Sequence, residues 1–274
     1  MEKHKFALAL LVLFLAASGC VKPDNGTVGR VSDESELPSP MSSPADLSEL
    51  YVPVIADFEL ITDPLSTKDG MMTAQIIRYA GDDSNVIRLT EEDRLLADIL
   101  FENSNQVLNL EWLGGDSILA VTSHINPSTN QYLVIELNEK YKTSYYYGFA
   151  FVWNESFTNL YYIKPDPHFS EGTVNSLMDK NENVLYRTMD NNRMTAAFAV
   201  SPDENHFAVV IRTLEAEETL VILKRFDDET ANPVGIIGDF SGDFSFLDNE
   251  TLKITLYTGE ARKIMLKDIL QYGA

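Results

Sequence analysis

The chain has 274 residues, of which 45% are hydrophobic and 10% aromatic, enough for one substantial core. Its formal net charge of −21 repels phosphate backbones, which speaks against nucleic acid as a partner. With a single cysteine, disulfides within the chain and thiolate zinc sites are excluded.

In chain order, Glu2-Lys3-His4-Lys5 precede an apolar run of 12 residues, 6–17. A bilayer takes about 20 residues to span, so this run is too short. A basic start, a short apolar stretch and small residues after it read instead as a secretory signal. The ending Ala17-Ser18-Gly19-Cys20 resembles the lipobox of bacterial lipoproteins, with Ala where Leu is commoner. That resemblance implies removal of residues 1–19 as a signal peptide and acylation of Cys20. The anchor would lie in a cell membrane, on its extracytoplasmic face. Each buried acyl CH₂ contributes about 0.8 kcal/mol, so two or more chains hold firmly. An ordinary signal peptide followed by an incidental thiol is the other reading, and Cys20 being the lone cysteine favours lipidation. Residues 1–19 carry Glu2, Lys3 and Lys5, a sum of +1, so the remaining chain stands at −22.

Residues 20–48 hold the lipidated Cys20 and a linker rich in Ser, Pro, Asp and Glu. The linker cannot bury enough apolar surface to offset its conformational entropy and reads as a disordered tether. Its 28 residues reach on the order of 30 Å at about 5–6 Å × √n.

Residues 49–274 have globular composition. Strands are predicted over 51–61, 71–79 and 86–89. Thr90-Glu91-Glu92-Asp93, followed by Leu95, Leu96, Ile99 and Leu100, predicts a capping box opening one short helix. Then a unit recurs. Residues 108–112, the turn Gly114-Gly115-Asp116, then 118–122 and 132–137 run strand, turn, strand, loop, strand. Residues 149–153, 160–163 and 184–187 repeat the order with a longer loop, and 197–200, 207–211 and 220–223 repeat it again. The last copy is 244–247, 252–256 and 262–266. Trp112, Trp153, Val200 and Phe246, each just before the first turn, lie 41, 47 and 46 residues apart. That is the spacing of propeller blades, too long for leucine-rich or ankyrin units. In the turn Ser201-Pro202-Asp203-Glu204-Asn205, Pro202 presets φ and Asn205 is expected in the left-handed conformation.

The string Ser201-Pro202-Asp203-Glu204-Asn205-His206-Phe207-Ala208-Val209-Val210 resembles the Ser-Pro-Asp-Gly signature of the TolB-type propeller repeat, and residues 133–140 are similar to that repeat's third strand. The likeness runs from about residue 108 to the C-terminus. Glu204 stands where Gly is usual, and one unit alone carries the Ser-Pro-Asp triplet. The resemblance implies an all-β, β-propeller-like domain of four to five antiparallel blades that docks to proteins or envelope polymers.

For chemistry, His124, His168 and His206 each sit alone in a different unit and read as surface or turn histidines. Asp179-Lys180-Asn181-Glu182-Asn183 begins like an EF-hand loop, but Val184 replaces the required Gly and Asp190 the bidentate Glu, so a hairpin turn is expected. Asp82-Asp83-Ser84-Asn85 reads as a turn. Gly238-Asp239-Phe240-Ser241-Gly242 is not a nucleophile elbow and reads as a connection between blades. Neither a cofactor nor a metal is expected. Tyr145, Tyr146 and Tyr147 read first as strand core and inter-blade wall, and alternatively as an exposed aromatic platform for a glycan or peptide.

The leading expectation is therefore a lipid-anchored, extracytoplasmic, non-catalytic module that binds a protein or glycan. A secreted hydrolase or lyase with its site at the channel mouth is the alternative. A lipoprotein regulating a membrane partner is the third.

Overall fold

The computed structural model describes residues 57–101, 106–127, 129–166, 174–189, 192–213, 215–226, 230–238 and 240–269. The leader, Cys20, the linker to residue 48, His168 and residues 270–274 lie outside the described residues. In the first sheet, β1 (Phe58–Leu60) and β2 (Leu65–Ser66) both pair with β3 (Met72–Tyr79), and β4 (Asn85–Glu91) and β5 (Arg94–Phe101) follow. The second holds β6 (Val107–Leu113), β7 (Ile118–Asn126), β8 (Thr129–Glu136) and the first half of β9 (Lys142–Trp153). The second half of β9 opens the third, with β10 (Leu160–Pro165), β11 (Asn175–Asp179) and β12 (Val184–Arg187). The fourth is β13 (Arg193–Val200), β14 (His206–Arg212), β15 (Glu218–Arg225) and β16 (Ala231–Ile237). The fifth is β17 (Phe244–Phe246), β18 (Thr251–Thr255) and β19 (Ala261–Met265). All pairings are antiparallel, as short hairpin connections require.

The cores lie between successive sheets. Ile87, Leu89 and Ile99 of the first sheet meet Leu119, Val121 and Leu133 of the second. On the other face of the second, Ile118, Ala120 and Val134 meet Leu160 and Tyr162 of the third. Tyr161, Ile163 and Leu177 then meet Phe207, Val209 and Leu223 of the fourth. Ala208, Val210 and Ile222 finally meet Leu252 and Ile254 of the fifth. Each buried Leu, Ile, Val or Phe contributes roughly 1.5–3 kcal/mol relative to its exposed state. Ile269, beyond a short 3₁₀ turn at Leu266–Asp268, inserts into that last cluster. Small antiparallel sheets stacked face to face in chain order are β-propeller-like. Among the described residues these are four hydrogen-bonded sheets, the seven-stranded one folding at β9 into two layers, so five layers stack, within the four to five blades expected.

Three expectations are corrected. The helix predicted after Thr90 is absent: Glu92 (φ 47°) and Asp93 (φ 66°) are both left-handed. They form the two-residue turn between β4 and β5, flanked by the pair Glu91 and Arg94. A bulge between Leu89 and Thr90 makes the leucine spacing of β5 resemble a helical stripe. In the Ser-Pro-Asp turn it is Glu204 (φ 60°) that takes the left-handed conformation assigned to Asn205. The longer loop of the third unit contains the fully buried strand β11.

The passage from the second sheet to the third is the tightest point. Ala150 adopts φ 55° and the β9–β10 register slips there. A Cβ on Gly148 would stand 2.3 Å from the Ile163 carbonyl oxygen and 2.9 Å from Tyr162 Cδ2. Gly148→Ala is therefore expected to lower stability by about 1–3 kcal/mol, seen as a reduced urea midpoint with unchanged m-value. Gly238→Ala, whose Cβ meets nothing within 4 Å, should lie within about 0.5 kcal/mol of wild type. Equal midpoints for the two variants would contradict this packing.

Candidate functional site

The first hairpin turns of successive sheets touch. The Lys68 N–H donates to Asp116 Oδ2 at 2.9 Å, joining the 67–70 turn of the first sheet to the 114–117 turn of the second. Gly114 approaches Phe157 of the third. The Asp203 N–H donates to Asn249 Oδ1 at 3.0 Å, joining the fourth to the fifth. These turns are stiff because their own side chains fold them. Ser201 Oγ donates to Asp203 Oδ1 at 2.6 Å and accepts the His206 N–H at 2.9 Å. Asp248 and Asp82 accept backbone N–H groups two residues on, as Asx-turns do.

The most developed polar cluster joins the third sheet to the fourth. Glu204 reaches across from its turn and accepts Asn154 Nδ2 at 2.6 Å, Asn159 Nδ2 at 2.9 Å and the Tyr161 hydroxyl. Asn154 also accepts the Thr158 and Asn159 N–H groups at 2.9 and 3.1 Å, which fixes the turn that presents it. Arg225 Nη1 donates to the Tyr161 hydroxyl at 3.3 Å. Burial alone would raise the Glu204 carboxyl, but bonds from Tyr161, Asn154 and Asn159 and the Arg225 charge outweigh it and hold the group below its usual range. Burial, then the neighbouring carboxylate, pushes the Tyr161 phenol upward. At neutral pH the pair is an ionised acid and a protonated phenol, each engaged by neighbours. Such a pair clamps two sheets together and is poorly suited to proton transfer. The usual Gly would avoid the left-handed strain of roughly 1–2 kcal/mol, so the departure from the repeat signature accompanies this clamp.

A second cluster lies on the outward face of the first sheet. Arg88 donates Nε and Nη2 to Asp98 at 2.9 and 2.8 Å, and Nη2 to the Tyr79 hydroxyl at 2.8 Å. Tyr79 donates to Asp98, whose side chain is 2% exposed. The Arg88 guanidinium sits 4.6 Å from the centroid of the Phe58 ring. Tyr79 must lie along the sheet to reach these partners, and the buried Ile77 and Val86 occupy the intervening row.

The three tyrosines singled out in the sequence do not share a face. Tyr145 packs on the cluster between the first and second sheets, and Tyr146, 8% exposed, on that between the second and third. Tyr147 is 41% exposed and accepts Gln131 Nε2 at 3.1 Å. Alternation along β9 sets Tyr146 opposite Tyr145 and Tyr147; the two cores take up Tyr145 and Tyr146, and Tyr147 is accessible. His124 and His206 stand in different sheets. Asp179 accepts the Asn181 and Asn183 N–H groups and closes a hairpin turn. Of the 238–242 connection, Asp239 lies outside the described residues and Phe240 is buried in the core between the fourth and fifth sheets. Among the described residues no group of three or more His, Cys, Asp or Glu forms a metal-binding cluster. Sequence reasoning missed the Glu204 clamp, for which Glu in place of Gly was the available signal.

No protein-family model matches the chain, and no curated protein matches it. Among solved structures it is similar to a eukaryotic initiation factor, with 11% identity and a TM-score of 0.45 over 79% of this chain and 56% of that one. It is also similar to the β-propeller domain of the Trilobed protease from Pyrococcus furiosus, with 15% identity and a TM-score of 0.41 over 78% of this chain and 71% of that one. This chain thus spans little more than half the length of the initiation factor. The likenesses say nothing of ligand or activity.

Replacing Glu204 by Gly should relieve strain yet lose charged hydrogen bonds of about 1.5–3 kcal/mol, for a net loss of stability. With a folded pKa below the unfolded 4.5, the Glu204 contribution is present above that pH and lost as pH falls through the folded value. The stability gap between wild type and Glu204→Gln should therefore be full at pH 7 and narrow below about pH 4. Chemical unfolding across pH measures it; a gap between wild type and Glu204→Gln that is the same at pH 7 and below pH 4 would show that the charged clamp holds nothing.

Proposed function

We propose that the chain is a bacterial lipoprotein, anchored through acylated Cys20 on the extracytoplasmic side of a cell membrane, whose TolB-like propeller domain binds a protein or envelope polymer without catalysing a reaction. The anchor rests on the basic start, the short apolar run and the lone Cys20 after Ala17-Ser18-Gly19. The TolB-type reading is supported by the Ser201-Pro202-Asp203 triplet, whose side chains fold the turn that starts β14.

One observation carries the binding half. The carboxylates with the most developed buried surroundings, Glu204 and Asp98, are engaged by donors of their own and neighbouring sheets. They stiffen a scaffold whose loops and edges are left to meet a partner. Function on such a scaffold belongs to its surfaces, and fold alone does not name the partner.

The anchor is tested by fractionation. Wild type should sediment with membranes and carry a diacylated N-terminal peptide by mass spectrometry, whereas Cys20→Ser should be recovered in the soluble fraction. A Cys20→Ser chain that stayed in the membrane would remove the anchor. Turnover of glycan or peptide substrates by the purified full chain at about 1 s⁻¹ or more would replace the binding reading with the hydrolase one.

A further inference from the structure

A cleft of about 650 Å³ opens at the rim between the fourth and fifth sheets, lined by Arg212, Glu217, Glu218, Gly238 and Tyr257 among others. Register and core packing put both of its walls on one interface. Val210 of β14 and Leu220 of β15 sit opposite each other and face the fifth sheet. By alternation, Arg212 and Glu218 are the next opposed pair on that same face. Ile237 of the fourth sheet and Leu256 of the fifth pack on the same core, and Gly238 and Tyr257 follow them directly in the chain. The cleft is therefore the open mouth of the core between these two sheets.

Both walls are held by their own backbone. The Thr213 N–H donates to the Glu217 carbonyl at 3.0 Å, closing the loop after Arg212, and the Gly259 N–H to the Leu256 carbonyl at 2.8 Å, closing the turn that bears Tyr257. Arg212 donates Nε, at 2.8 Å, and Nη2 to the same oxygen of Glu218, Oε1. Glu218 Oε2 and Arg212 Nη1 have no hydrogen-bond partner among the described residues, and the two side chains are 29% and 39% exposed. The pair thus presents one acceptor and one donor side by side. Tyr257 is 68% exposed, more than any other aromatic side chain among the described residues. A Cβ on Gly238 would meet nothing within 4 Å, so that wall leaves the mouth open.

Glu217 and Glu218, in a chain of net charge −21, turn anions away. The Arg212 guanidinium, already on Glu218, opposes a cation at the same place. A neutral ligand with adjacent hydroxyls and one apolar face matches what is left. We infer that this cleft binds a neutral sugar unit of an envelope glycan, its ring against Tyr257 and two neighbouring hydroxyls on the Arg212–Glu218 pair. A hydroxyl both donates and accepts, so one donates to Glu218 Oε2 while the next accepts from Arg212 Nη1, both charge-assisted bonds. The Tyr257 ring covers the C–H face of the sugar and keeps its own hydroxyl in water. The cleft volume falls within the roughly 300–1,000 Å³ of small-ligand sites. The inference rests on the reading of the domain as a binding module, and names where it binds and which class of polymer.

The test is saturation-transfer NMR and calorimetry on the full chain in micelles of a sugar-free detergent. The probes are neutral oligosaccharides of glucose, mannose and N-acetylglucosamine. At least one should bind, with saturation passing from tyrosine ring protons to the C–H protons of the sugar. Tyr257→Ala should weaken that binding at least about tenfold and Glu218→Gln severalfold. Gly238→Trp should fill the cleft and abolish it. Thermal midpoints of all three variants should stay within a few degrees of wild type. No binding by any probe at about 10 mM, or affinities that ignore Tyr257→Ala and Gly238→Trp, would overturn the proposal. So would oligolysine or a uronic-acid oligomer that displaces the neutral sugars and binds more tightly, which would mark a site selected by charge. Membrane release of Cys20→Ser is read separately, so failure here leaves the lipoprotein reading distinguishable.

Discussion

The middle strands of the second, third and fourth sheets are apolar on both faces, and the rest of the structure follows from that. Along β7, Leu119 and Val121 turn one way and Ile118 and Ala120 the other, and all four are buried. Along β14, Phe207 and Val209 face the third sheet while Ala208 and Val210 face the fifth. A strand with one apolar face needs one covering layer; a strand with two needs a layer on each side. A two-layer sandwich supplies only one, so sheets of this kind must stack in series. The hairpins are too short to carry the chain elsewhere between strands, and the sheets follow one another in chain order, the second running into the third through the shared strand β9.

Polar bonds then fix how neighbouring sheets meet. Apolar burial is tolerant of small rotations, whereas a hydrogen bond is not. Lys68 to Asp116, the Glu204 clamp and Asp203 to Asn249 tie turn to turn along the stack. Glu204 shows what this demands, for its backbone is held at φ 60° while its carboxylate is bound by three side chains. The end sheets have no such neighbours on their outward faces among the described residues. The first shields its apolar row with Tyr79, Phe58 and the Arg88–Asp98 pair, and the fifth turns Ser245, Lys253 and Lys263 outward.

Much of this fold was legible because strand, turn and strand recur at blade spacing, with Trp112, Trp153, Val200 and Phe246 marking the same place in each copy. Two strands were not, β16 and β11. In β16, Pro233 and Gly235 interrupt the apolar pattern at a register break with β15, and β11 is only five residues long. The helix expected after Thr90 arose because a bulge imitates helical spacing, and left-handed φ at Glu92 and Asp93 leaves no distinctive residue type. The clamp was illegible for another reason: Asn154, Asn159 and Tyr161 belong to the hairpin of the third sheet and Glu204 and Arg225 to the fourth, and only the stacking brings the two together. One letter, Glu204 in a position that favours glycine, pointed to it.

Methyl-to-methyl NOE spectroscopy of the full chain tests the serial stacking most directly. Cross-peaks should join the first sheet to the second, the second to the third, the third to the fourth and the fourth to the fifth, with methyls of Val209 and Val210 reporting opposite neighbours. Cross-peaks joining sheets that are not consecutive, such as Ile87 of the first with Val209 of the fourth, would mean two facing layers and would contradict the fold.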